Sequence, residues 1–264
     1  MSKVCFIIGA SSGIGLSTAS RFLEAGYTVI NGSRTECELE GVKNYALDVA
    51  NPKTIHAAVK DIDKVYGRLD VLIYSAGFSM AAPVEFVKQE DYRYLFDVNF
   101  FGVIETVRAV LPTMKKQGTG TIIVVGSIGG VLPIAFDSFY SASKSAVNML
   151  VRELNLELAP YKIRAISVMP GGTQTNFTQK RKVYSSDEAG LYADRMDNAV
   201  ERLAKSEQTG LKPEQVAETI FFVATAKKAP EIVSVGAKNK AYHMLDRIMP
   251  RFETRMMLRM KYKV

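Results

Sequence analysis

Short, wholly apolar runs alternate along this chain with longer segments whose apolar residues recur every three or four positions. "VCFIIG" (4–9), "YTVING" (27–32), "NYALDV" (44–49), "LDVLIYSAG" (69–77), "TIIVVGS" (121–127), "IRAISVMP" (163–170) and "EIVSVG" (231–236) are the short runs. Runs of this length, rich in Val and Ile, predict strands buried on both faces. Helical spacing covers 14–26, 52–66, 91–116, 138–159 and 213–226. Gly26 and Pro160 mark stops, and Pro213 marks a start. The alternation predicts an α/β fold, a doubly wound parallel sheet of about seven strands with helices on both faces. Residues 171–210 are polar and predict a mobile loop beside the site. No linker divides the chain, so 1–240 is expected to be one domain and 241–264 its C-terminal tail.

The turn after the first strand reads "GASSGIG", with Gly9, Gly13 and Gly15 at the entry to the first helix. Glycines allow a tight turn and close approach of the backbone to a pyrophosphate. The helix N-terminus adds free N–H groups and positive potential. The second strand ends "VINGSR", where an NAD-binding chain would place an acid against the ribose. Here Ser33 removes the repulsion of a phosphate, and Arg34 can pair with the 2′-phosphate of NADP. A solvated surface arginine is the plainer alternative.

Further along, "FYSASKSA" puts Tyr140 and Lys144 on one helical face. Such a pair arises by chance about once in a chain this rich in tyrosine and lysine. Its context is more specific. Ser127 ends the strand before it, and Asn99 lies in "DVNFFG" on the preceding long helix.

The Gly-x3-Gly-x-Gly turn and the ordered set Asn99, Ser127, Tyr140, Lys144 resemble the short-chain dehydrogenase/reductase family over residues 3–236. The pattern is most similar to its hydroxysteroid and retinol dehydrogenase branch. The resemblance implies a Rossmann-type fold and an NADP(H)-dependent oxidoreductase interconverting a ketone or aldehyde and an alcohol. It makes Tyr140 the general acid/base, Ser127 the residue that orients the reacting oxygen, Lys144 the holder of the ribose, and Asn99 part of a proton relay. It implies cofactor contacts from Gly9, Ser11, Ser12, Gly13, Ile14, Gly15, Ser33, Arg34, Asp48, Val49, Ser75, Ala76, Gly77, Asn99, Tyr140, Lys144, Pro170, Gly171, Thr173 and Thr175. NADP(H) is expected over NAD(H), and a homodimer or homotetramer through the two long helices. Two departures stand out: Ile8 replaces the family's Thr, and "YSAG" (74–77) replaces Asn-Asn-Ala-Gly. Together they predict that the usual polar link between these loops is weakened or replaced.

Physical reasoning adds to this. A tyrosine hydroxyl ordinarily titrates near ~10. The ammonium of Lys144 and a positive nicotinamide would both favour the phenolate. The loops "FSM" (78–80), "GGVLPIAF" (129–136) and the stretch after Gly171 offer a pocket with Phe78, Val131, Phe136 and Tyr184, suited to a lipophilic ketone or alcohol. Rival readings are a 3-oxoacyl thioester reductase and, from another class, a non-catalytic NADP(H)-sensing module. A pure sensor has no need for Tyr140.

Composition narrows the field. Of 264 residues, 47% are hydrophobic and 23% charged, as in a folded domain. The formal net charge of +7 is concentrated in the tail, which carries Arg247, Arg251, Arg255, Arg259, Lys261 and Lys263 against Asp246 and Glu253. A broad nucleic-acid surface is therefore not expected. Cys5 and Cys37 are expected to be free thiols, with no metal site, in a cytoplasmic chain. In the tail, Leu245, Met249, Phe252, Met256 and Met260 form a helical apolar stripe. Such a basic amphipathic helix can lie on an anionic membrane, or dock over the cleft or a second subunit.

Overall fold

The computed structural model describes residues 2–263. Its strands are β1 (Val4–Ile8), β2 (Thr28–Ser33), β3 (Lys43–Ala46), β4 (Val71–Tyr74), β5 (Met80–Ala81), β6 (Gly120–Val125), β7 (Ile163–Met169), β8 (Lys182–Val183) and β9 (Ile232–Ser234). Its helices are α1 (Gly13–Glu24), α2 (Pro52–Tyr66), α3 (Gln89–Phe96), α4 (Gly102–Gln117), α5 (Ser138–Leu158), α6 (Ser186–Ala189), α7 (Ala193–Gln208), α8 (Pro213–Thr225), α9 (Ala237–Ile248) and α10 (Arg251–Tyr262). Seven strands form one parallel sheet in the order β3-β2-β1-β4-β6-β7-β9. This is the Rossmann-type arrangement the pattern predicts.

The two-sided burial has a direct cause. Successive strand side chains point to opposite faces. Phe6 and Ile8 of β1 pack with Ile55 of α2, Val107 of α4 and Val151 of α5. Cys5 and Ile7 pack on the other face with Phe22 of α1 and Ile220 of α8. A strand covered on both sides has no polar face to show, which is why these runs read as continuous apolar segments. The chain order reverses at β1, between β2 and β4. In such sheets ligands bind beyond the carboxyl ends of the strands at that point.

Two elements differ from the pattern. The stretch 91–116 is not one helix: a π-helical turn, Asp97–Phe101, separates α3 from α4. The Tyr74 hydroxyl donates to the Val98 carbonyl within this turn at 2.6 Å. A Cβ on Gly102 would come within 2.5 Å of that hydroxyl. The stretch 171–210 is not an extended loop either, because it contains β8, α6 and α7. The inward face of α7 is narrow, with Met196 and Ala199 buried, so its apolar signal is diluted by the charges around it.

The tail forms α9 and α10. Leu258 and Tyr262 of α10 are buried with Ala199 of α7, against Ile134, Ala135 and Phe136. The expected apolar stripe is not the packing face, since Phe252, Met256 and Met260 are 59%, 59% and 67% exposed. Among the described residues, no helix is long and apolar enough to cross a membrane.

Candidate active site

A cleft of about 1270 Å³ runs from the first turn to the tail. At one end is the N-terminus of α1, which has no side-chain cap and no acid in its first turn. Its N–H groups are thus available to an anion. Gly13 has φ +56°, in the left-handed region, and a Cβ on Gly15 would stand 2.0 Å from the Gly9 carbonyl oxygen. The turn therefore needs glycine for its path and for close helix–strand packing. This cradle fits a dinucleotide. Gly9, Ser11, Ser12, Gly13, Ile14, Ser33, Arg34, Asp48, Val49, Ser75, Ala76, Gly77, Tyr140, Lys144, Pro170, Gly171, Thr173 and Thr175 all line the cleft. Gly15 and Asn99 do not. Gly15 lies behind the turn, and Asn99 lies behind Gly77, where a Cβ would meet Asn99 Oδ1 at 3.0 Å.

Two contributors to this end escape the sequence reading. Asn31, buried within β2, accepts the Ala10 N–H through Oδ1 at 3.0 Å and donates through Nδ2 to Asn44 Oδ1 at 2.9 Å. It ties the glycine turn to the sheet, a polar link that Ile8 cannot make. The signal was present, because a polar residue in a buried strand needs partners. Lys180 is the second, with Nζ 3.4 Å from Ser12 Oγ at the anion-binding turn.

The four candidate catalytic residues converge farther along. Asn99 clasps the backbone of Phe78: Oδ1 accepts its N–H at 3.1 Å, and Nδ2 donates to its carbonyl at 2.9 Å. Lys144 donates to the Val125 carbonyl at 2.9 Å. Its ammonium lies 5.8 Å from the centroid of the Tyr140 ring. Burial pushes Lys144 down to about 8. Ser127 caps a short turn by accepting the Gly129 N–H at 3.0 Å.

For Tyr140 the balance differs from expectation. Burial dominates and pushes its hydroxyl well above the ordinary range. A hydrogen bond with Ser127 opposes this, the charges of Asp137 and Glu207 add to it, and Arg181 opposes it. Lys144 lies over the ring and is not among the groups that set this balance. The chain by itself therefore holds Tyr140 protonated, as the acid that carbonyl reduction needs.

The far end of the cleft was only partly anticipated. Phe78 lines it, but Val131, Phe136 and Tyr184 do not. Phe136 has φ +60° and turns toward the tail, where it packs with Leu258 and Tyr262. Tyr184 is buried, donates to Asp91 at 2.6 Å and accepts the Lys88 N–H at 2.9 Å, so it braces the wall. Val131 caps the turn after Ser127. Asp137, Glu207, Leu258 and Tyr262 take their places in the lining. Behind them the buried Arg181 pairs with Glu207 and donates to Ser79 Oγ at 2.9 Å.

A dinucleotide cradle leading to a tyrosine, a serine and a lysine at the carboxyl end of a parallel sheet defines a nicotinamide-dependent oxidoreductase of carbonyl and alcohol groups. Residues 3–184 match the family model for short chain dehydrogenase, and the chain belongs to the short-chain dehydrogenase/reductase family. It is 37% identical over 238 residues to a 3-ketodihydrosphingosine reductase of Bacteroides thetaiotaomicron, covering 89% of this chain and 88% of that one. It is 33% identical to a 3-oxoacyl-[acyl-carrier-protein] reductase of Thermotoga maritima, covering 84% and 90% of the two chains. Among solved structures, a short-chain dehydrogenase from Streptomyces avermitilis superposes with a TM-score of 0.84 at 30% identity, covering 97% of this chain and 96% of that one.

Proposed function

We propose that this enzyme uses NADPH to reduce the ketone of a long-chain lipid of the sphingoid-base type. The observation that carries this reading is the cleft itself, which Tyr140 and Ser127 line together with the apolar Phe78, Leu258 and the ring of Tyr262. Its likeness to a 3-ketodihydrosphingosine reductase supports an aliphatic keto-lipid over a steroid or retinoid. The bound nicotinamide supplies a hydride. The protein's own residues do the rest. Ser127 orients the substrate oxygen, and Tyr140 donates the proton that oxygen requires. Lys144 holds positive charge beside Tyr140 and stabilises the phenolate left behind. Asn99 fixes the Phe78 backbone beneath them. Ser33 and Arg34 on the cleft wall favour the 2′-phosphate of NADP over a bare ribose.

The test is NADPH absorbance with a long-chain 2-amino-3-ketone, its des-amino analogue and a 3-oxoacyl thioester. Faster turnover of the free ketones supports the reading. Preference for the thioester moves the enzyme to the rival class, and no turnover of any of the three revives a sensing module.

The tail adds a surface to this reading. Met244, Ile248, Phe252, Met256 and Met260 are all more than half exposed, beside Arg247, Arg251 and Arg255. We infer that this face lies on an anionic bilayer while Leu258 and Tyr262 wall the cleft, so a lipid substrate need not cross water. Phe252→Glu with Met256→Glu should abolish co-sedimentation with anionic vesicles; unchanged binding removes the idea. From the family resemblance we extend a second copy packing on α4 and α5, where Met149 and Leu156 are exposed.

A further inference from the structure

Asp137 is a buried acid that none of the family's catalytic groups accounts for. It precedes α5, three residues before Tyr140, and it lines the cleft at 1% exposure. Its side chain does not cap the helix. The hydrogen bond its carboxylate makes is a long one, from the Met80 N–H to Oδ1 at 3.3 Å. The nearby cation favours the carboxylate through its charge but makes no ion pair with it. Arg181 is committed to Glu207 and Ser79. Glu207 is further held by Thr178 at 2.5 Å. The cluster thus contains two carboxylates and one guanidinium; both carboxylates line the cleft, and the guanidinium pairs with Glu207, not with Asp137. A buried carboxylate without a cation is costly, and proteins retain such groups where a ligand completes them. Its environment fits this, since burial pushes Asp137 up to about 7, with Arg181 opposing and Glu207 adding to the rise.

The geometry points to Asp137 as the recognition site for a substrate ammonium on the carbon next to the reacting carbonyl. This rests on the keto-lipid reading above and sharpens it to α-amino ketones. Asp137 and Tyr140 lie about one helical turn apart, so a carbonyl oxygen at Tyr140 leaves the adjacent carbon's substituent on the Asp137 side. An ammonium there donates to the free carboxylate and neutralises the surplus charge. The alkyl chain then runs toward Leu258 and Tyr262. An uncharged or acylated amine leaves the carboxylate unpaired, which gives discrimination against N-acylated lipids.

The test uses the enzyme with NADPH bound, which cannot oxidise an alcohol, and micelle-free, short-chain ligands: a 2-amino-3-alcohol, its N-acetyl derivative and its des-amino analogue. Calorimetry should show wild type binding the free amine at least tenfold more tightly than either other ligand. Asp137→Asn should reduce that ratio at least tenfold, with NADPH binding as the check that the variant is folded. The corresponding ketones are assayed in parallel, and the preference should appear in KM. Equal binding of the three ligands by wild type overturns the inference, as does an unchanged ratio in Asp137→Asn. Turnover of the ketones without amine preference removes Asp137's role and leaves the keto-lipid reading standing. Asp137-dependent amine binding without turnover does the reverse.

Discussion

The two ends of the cleft are built in opposite ways. The cofactor end is built around backbone: a glycine turn, the open N-terminus of α1 and the ends of successive strands. The substrate end is made of buried side chains drawn from far apart: Ser79, Asp137, Arg181, Glu207, Leu258 and Tyr262. The first, through its glycine turn, suits the pyrophosphate that every dinucleotide shares. The second carries whatever distinguishes this enzyme's substrate, and it sits under charge that costs stability. Backbone recognition tolerates changes at many positions, whereas a buried ionic cluster fails when one member is lost.

The largest expected effect lies where the two ends meet. Tyr140→Phe should lower kcat by about 10³-fold, within the range for loss of a general acid, while NADPH affinity measured by fluorescence stays near wild type. A variant retaining a tenth of the activity would mean that another group protonates the product.

Next comes the substrate end. Glu207→Ala leaves Arg181, whose side chain is 1% exposed, without its carboxylate. Denaturant unfolding should show a loss of about 3–5 kcal/mol. A loss below about 1 kcal/mol would mean that the cluster is not the dry network described.

Asp137 should behave oppositely. Its folded pKa, about 7, lies above the value of 3.8 it has without the fold, so the native state binds its proton more tightly. Its cost is absent near pH 4 and grows as pH rises through 7. The stability of Asp137→Asn relative to wild type should therefore increase with pH, by a few kcal/mol between pH 4 and 8. A pH-independent difference would contradict the burial of its charge. Arg181, Glu207, Tyr140 and Tyr262 surround it, and none is altered in this comparison.

The smallest effect belongs to the cofactor end. Arg34→Ala removes one charged contact at an exposed edge, where the guanidinium donates to the Tyr94 hydroxyl at 3.4 Å. NADPH affinity should fall about ten- to a hundredfold with NADH little changed, as expected for a charge-assisted hydrogen bond. Equal loss of both would place Arg34 outside phosphate recognition.

The same contrast governs what could be read in the sequence. The parallel sheet was legible because strands buried on both faces are written as unbroken apolar runs. The glycine turn and Tyr140 with Lys144 were legible because their spacing is local. Asn31 left a visible signal, a polar residue inside "VINGS", though not its partners. The π turn at Asn99 is bonded by Tyr74, a distant residue that reads in sequence as an ordinary strand position. Phe136 and Tyr184 were expected in the pocket because they are aromatic and near the site, but backbone conformation turns one away and Asp91 holds the other in the wall. Arg181 and Glu207 gave no signal at all. Each is a common charged residue in a polar stretch, and only the fold brings them beside Asp137.

The central claim concerns the fate of one hydrogen at one carbon. The enzyme is incubated with a long-chain 2-amino-3-ketone and NADPH deuterated at both C4 positions, and the lipid is analysed by mass spectrometry. The account predicts a 2-amino-3-alcohol carrying one deuterium on the former ketone carbon, with almost none formed by Tyr140→Phe. Recovery of unchanged ketone from the wild-type reaction, or of alcohol without deuterium at that carbon, would contradict it.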